Sequence, residues 1–132
     1  MDDREIIQQL QQASQGLLCL SESDYPFEIV HWQEKNPIIE KKIRQNSEDN
    51  SNKTIEITTL ESFFKSATRE QDWQDRAEKE EVRRYQILVK LLQEKLNDVK
   101  VYRVGEIEID VYILGKTKSG TICGLSTKVV ET

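Results

Sequence analysis

Between residues 82 and 113 the apolar side chains change their spacing, and this switch constrains the fold more than any other feature of the chain. Val82, Tyr85, Val89, Leu92 and Leu96 recur at intervals of three and four, with Leu88 widening the stripe, which fits one face of a helix. Ile107, Ile109, Val111 and Ile113 then alternate with Glu106, Glu108, Asp110 and Tyr112, the period of a strand with one buried face and one wetter face. Faces of these two kinds are stable only when they cover each other, so helices must pack on a sheet. The chain has 132 residues. A chain of that size buries roughly two-thirds of the surface its unfolded form exposes, enough for a core without staples. One domain over residues 1–132 is expected.

The flanking segments extend the same pattern. Ile6, Leu10, Ala13 and Leu17 form a helical stripe, with Gly16 a natural terminator. Residues 21–26, rich in Ser and Asp and closed by Pro26, read as a loop, and Phe27 to Trp32 has strand composition. Residues 37–43 suggest a further strand, although Ile38, Ile39 and Ile43 alternate poorly. Residues 45–53 carry no apolar side chain and read as a solvated loop. Thr54 to Thr58 places Ile55 and Ile57 on one strand face, and Leu60 to Lys65 reads as a short helix carrying Phe63 and Phe64. Thr68-Arg69-Glu70-Gln71 fits a capping box and predicts a helix start there. Val101 to Val104 and Thr121 to Val130 flank the central strand, giving a C-terminal antiparallel meander. The expected class is α/β, a mostly antiparallel sheet with helices packed on both faces, because two long amphipathic helices flank the strands.

Charge and composition narrow the function. With 24 acidic against 19 basic side chains the net charge is −5, which disfavours direct binding of nucleic acid, where clustered Lys and Arg displace counterions. No apolar run approaches the roughly 20 residues that span a bilayer, and the acidic start Met1-Asp2-Asp3-Arg4-Glu5 is unlike a secretory signal. A cytoplasmic location is expected, with Cys19 and Cys123 as unpaired buried thiols. His31 is the single histidine, so a zinc site or a histidine-based triad has little to build with. The chemistry open to an enzyme is then that of carboxylates. Glu106, Glu108 and Asp110 project from one side of a strand, either as a magnesium site of a metal-dependent hydrolase or as a solvated face, and the solvated face is preferred. Glu70, Asp72, Trp73 and Asp75 set a large aromatic among carboxylates, the composition of an interface anchor, unless Trp73 covers the core. Glu22 is a turn residue or a carboxylate aimed at a partner, and Thr132 offers a hydroxyl and a carboxylate side by side.

Several strings carry a resemblance. Gln12-Ala13-Ser14-Gln15-Gly16-Leu17-Leu18, Ser21-Glu22-Ser23-Asp24-Tyr25-Pro26-Phe27-Glu28, Ser62-Phe63-Phe64-Lys65-Ser66-Ala67-Thr68 and Gln71-Asp72-Trp73 resemble the cyanobacterial nuclease A inhibitor family. So do Val101-Tyr102-Arg103-Val104-Gly105-Glu106, Asp110-Val111-Tyr112 and the ending Ser126-Thr127-Lys128-Val129-Val130-Glu131-Thr132. The likeness spans nearly the whole chain and departs mainly from Asn36 to Lys53. It implies an α/β/α sandwich that is not an enzyme but blocks a sugar-nonspecific, magnesium-dependent endonuclease cutting DNA and RNA. It further implies that Glu22 meets a basic residue of the nuclease active site in place of a substrate phosphate. Gln71, Asp72 and Trp73 would form the anchor. Thr132 would reach the nuclease magnesium, with no cofactor of the inhibitor's own. Each of these positions keeps the family's residue. The competing readings are the carboxylate-dependent hydrolase and an interaction module with another protein target.

Overall fold

The computed structural model of the chain describes residues 3–19, 25–35, 37–45, 53–65 and 67–130, the side chains of residues 18 and 19 excepted. The elements run α1 (Asp3–Ser14), β1 (Leu18–Cys19), β2 (Tyr25–Pro26), β3 (Glu28–Trp32), α2 (Ile39–Gln45), β4 (Ile55–Thr58), α3 (Leu60–Phe64), α4 (Arg76–Lys95), β5 (Asn97–Val104), β6 (Glu108–Lys116) and β7 (Ile122–Val130). Five strands form one sheet in the order β3-β7-β6-β5-β4, and β1 pairs with β2 in a small separate ribbon. Every neighbouring pair in the large sheet is antiparallel.

The pleat divides the side chains of the sheet between two layers. On one face Val101, Ile109, Val111, Ile113, Cys123, Leu125 and Val129 bury against Ile6 and Leu10 of α1, Leu60 and Phe64 of α3, and Tyr85, Leu88 and Leu92 of α4. On the other, Tyr102, Val104, Leu114 and Ile122 bury with Ile43 of α2, and Val30, Trp32, Ile39, Ile55 and Tyr112 pack around them. The protein is therefore of the α/β class, with helices on both faces of an antiparallel sheet. The alternation within β6 is what lets one strand serve two cores, since neighbouring side chains point to opposite faces, Ile109, Val111 and Ile113 to one and Tyr112 and Leu114 to the other.

The distribution of helices differs from the sequence-based expectation. The two long helices share a face: the Arg84 guanidinium of α4 donates to the carbonyl of Ala13 at 3.4 Å and to that of Gln15, joining α4 to the end of α1. The opposite face is covered by α2, in the segment expected as a strand. Ile39 and Ile43 are four apart and so fall on one side of a helical turn, and both pack on that face. The helix start expected at Thr68 also moves. Thr68 spends its hydroxyl on the carbonyl of Phe64 at 2.9 Å, closing α3 instead. The working box lies seven residues on, where the Glu78 N–H donates to Asp75 Oδ1 at 2.8 Å and the Asp75 N–H to Glu78 Oε1 at 3.3 Å. Ile107 leaves the expected strand as well: β6 begins at Glu108, and Ile107 is 60% exposed. Ile55 and Ile57 share a face as expected, but Ile57 remains 47% exposed.

Candidate functional site

The turn joining α3 to α4 carries three of the five contact residues that the resemblance implies, Gln71, Asp72 and Trp73. Its backbone is tied from within and from both neighbours. The Gln74 N–H donates to the Gln71 carbonyl at 3.2 Å, and the Gln71 N–H donates to Gln74 Oε1 at 2.9 Å. From α4, Gln86 Nε2 donates to the carbonyl of Thr68 at 2.8 Å, and Lys79 Nζ lies 4.0 Å from Glu70 Oε1. Asp72 and Trp73 therefore sit at the apex of a fastened turn, and Trp73 is 74% exposed. The choice between core and surface is settled: the indole does not cover the core, and an exposed Trp with Glu70, Asp72 and Asp75 near it in the sequence has the composition of an interface hot spot.

The elements fix which end of the molecule this turn occupies. The last residue of the α4 stripe, Leu96, lies beside Gly115 in β6, and Tyr85 reaches Phe27, its ring centroid 6.3 Å away, at the start of β3. With about 1.5 Å of rise per residue, the first turn of α4 continues past Tyr85 by more than 10 Å. It ends at the side of the sheet where β5 finishes, β6 begins and β7 finishes. Thr127 of β7 donates to the Pro26 carbonyl at 3.0 Å, placing the β1–β2 ribbon at this end too. Tyr25 and Val130 line one cavity of about 250 Å³ with Glu108, Asp110, Lys128, Val129 and Lys53. Glu22 and Thr132 lie outside the described residues; Tyr25 follows the first by three positions and Val130 precedes the second by two.

The carboxylates that would serve a hydrolase do not gather. Glu106 lies in the bend before β6, whereas Asp110 lies on β6 directly opposite Lys128. Among the described residues no three His, Cys, Asp or Glu side chains are placed to hold a metal ion. His31 is engaged at the other end of the molecule, where its Nε2 lies 3.0 Å from Asp3 Oδ2. Asp3 also accepts from Thr121 and, at 3.2 Å, from Ser119. Burial alone would push the Asp3 carboxyl up, but the hydrogen bonds from Thr121, His31, Ser119 and Thr117 together hold it below the usual 3.8. Cys123 is a free, fully buried thiol. Burial, with Asp3 adding to it, pushes it up to about 11, so it stays protonated and unreactive at neutral pH. The side chain of Cys19 lies outside the described residues.

The chain is thus an α/β sheet protein that carries an exposed tryptophan on a hydrogen-bonded turn. A family model of nuclease A inhibitor-like proteins matches residues 4–132, nearly the whole chain, and the protein belongs to this family. The curated proteins contain no significant match to it. Its partner class is accordingly a nuclease, and among the described residues no helix is long and apolar enough to cross a membrane.

Proposed function

We propose that this chain binds and blocks the active site of a sugar-nonspecific, magnesium-dependent endonuclease, and that it does so without catalysis of its own. The observation that carries the reading is Trp73, a large aromatic left 74% exposed on a turn held by its own hydrogen bonds. Such presentation lowers the ordering cost of binding, because the anchor is positioned before the partner arrives. Gln71 and Asp72 stand beside it as the polar rim. Glu22 substitutes for a substrate phosphate against a basic residue of the nuclease. Thr132 reaches the nuclease magnesium with its hydroxyl, an oxygen donor suited to a hard cation. The metal belongs to the nuclease, and the inhibitor supplies one ligand only in the complex. The same proposal includes a cytoplasmic location, where such a protein guards the cell's own nucleic acids.

Net charge supports the reading. A chain at −5 is drawn to the basic cleft that a nuclease must offer to phosphates, and this steering fades with salt. The test is hydrolysis of DNA and of RNA by such a nuclease, titrated with the protein at low and moderate salt. Loss of both activities at one equivalent is expected, with slower onset at higher salt. Deleting Thr132 should raise the inhibition constant while leaving the unfolding curve unchanged. A nuclease that cuts both substrates at full rate in excess protein would overturn the reading.

A further inference from the structure

The β5–β6 hairpin holds an apolar side chain that the fold does not use. Alternation with Ile109, which is buried in the core, would carry Ile107 to the same face, yet the bend over residues 105–107 turns it out and leaves it 60% exposed. Glu106 and Glu108 flank it.

The bend is fixed by its own backbone. Gly105 adopts φ +110°, a region open to glycine, and its N–H donates to the carbonyl of Thr54, just before β4, at 3.0 Å. A Cβ at this position would stand 2.5 Å from the carbonyl oxygen of Glu108, so the chain folds back on itself more closely than any side chain permits. Ile107 is thus presented by a preformed tip, in the manner of Trp73 at the other turn.

Resting on the inhibitor reading, we propose that this tip is a second contact with the nuclease, with Ile107 seated in an apolar depression on the rim of the basic cleft and Glu106 and Glu108 facing cations around it. Two observations select this occupant. The tip is continuous with the end of the molecule already assigned: Gly105 to Glu108 line a cavity of about 550 Å³ with Lys53 and Thr54, and Glu108 and Lys53 also line the cavity that holds Tyr25 and Val130. The flanking carboxylates suit a basic surface and repel both nucleic acid and a second copy of this acidic chain. An isoleucine with charged neighbours on both sides has the arrangement of a small hot spot inside a polar rim.

The experiment compares the native chain with Ile107→Ala, Ile107→Lys, the double variant Glu106→Gln/Glu108→Gln, and Trp73→Ala. Inhibition constants are measured against the nuclease, and urea unfolding and sedimentation are recorded for each variant. We expect Ile107→Ala to raise the inhibition constant about tenfold and Ile107→Lys about a hundredfold, both with native unfolding curves. The double glutamine variant should slow association and flatten its salt dependence. Inhibition constants within twofold of native for both Ile107 variants, beside a weakened Trp73→Ala, would overturn the second contact and leave the inhibitor reading standing. A native chain that fails to inhibit would overturn both. Self-association lost on Ile107→Lys with inhibition intact would assign the tip to a second copy and overturn the proposal.

Discussion

Replacing Trp73 by alanine separates a binding role from a folding role, because its exposure sets a ceiling on each. A tryptophan side chain offers up to about 250 Å² for burial. At 74% exposure about a quarter is covered within the protein, or roughly 60 Å², worth at most about 1.5 kcal/mol of stability at about 25 cal/mol per Å². The exposed remainder, roughly 180 Å², is available to a partner and sets an upper limit of about 4.5 kcal/mol by the same conversion. Truncating a central anchor usually costs about 2–4 kcal/mol, equivalent to a rise in inhibition constant of roughly 30- to 700-fold. The assay is inhibition of DNA hydrolysis, read beside urea unfolding of the same preparations. The reasoning is refuted by an inhibition constant within threefold of native. It is refuted equally by a stability loss above about 3 kcal/mol, which would make the indole a structural element.

Other positions test the fold and its chemistry. Gly124 pairs with Leu114 across β6–β7, and a Cβ there would lie 1.8 Å from the Ile113 carbonyl oxygen; Gly124→Ala should cost about 3 kcal/mol or more, and native-like urea stability would contradict the register. Asp3 sits below its usual 3.8 when folded. Its contribution is therefore complete above the unfolded value and disappears as the pH falls through the folded one. Urea unfolding of the native chain and of Asp3→Asn should differ by about 1 kcal/mol at neutral pH, with the gap closing only as the pH falls below 3.8 and through the lower value of the folded carboxyl, and a gap that persists in stronger acid would refute the assignment.

What could be read from the sequence follows from how local each signal is. The stripe from Val82 to Leu96 and the alternation from Ile109 to Ile113 depend on neighbours in the chain, and both elements form where those spacings occur. The face each helix covers is a tertiary choice. The long pair, α1 and α4, meets on one side through Arg84, and nothing in either stripe records that. The seven-residue α2 shows only Ile39 and Ile43 as its apolar period, too short a run to separate a helix from a strand. Two capping patterns compete between Thr68 and Glu78, and the Thr68 hydroxyl goes to Phe64, a partner that exists only once α3 has formed. Of the candidate site, the residue types at Gln71, Asp72 and Trp73 were legible, but the exposure of the indole depends on hydrogen bonds within the turn and from α4. Alternation gives the face of a strand without marking its first residue, so it extends to Ile107 although β6 begins at Glu108. The Asp3–His31 contact joins residues 28 apart and has no local signature.

The most direct test of the central claim is the dependence of inhibition on substrate concentration. The protein should occupy the nuclease active site, so the apparent inhibition constant for DNA hydrolysis should rise in proportion to the DNA supplied, and one molecule of protein should silence one of nuclease. An apparent inhibition constant unaffected by DNA concentration would show that the protein and the substrate bind at separate places, and would contradict the account.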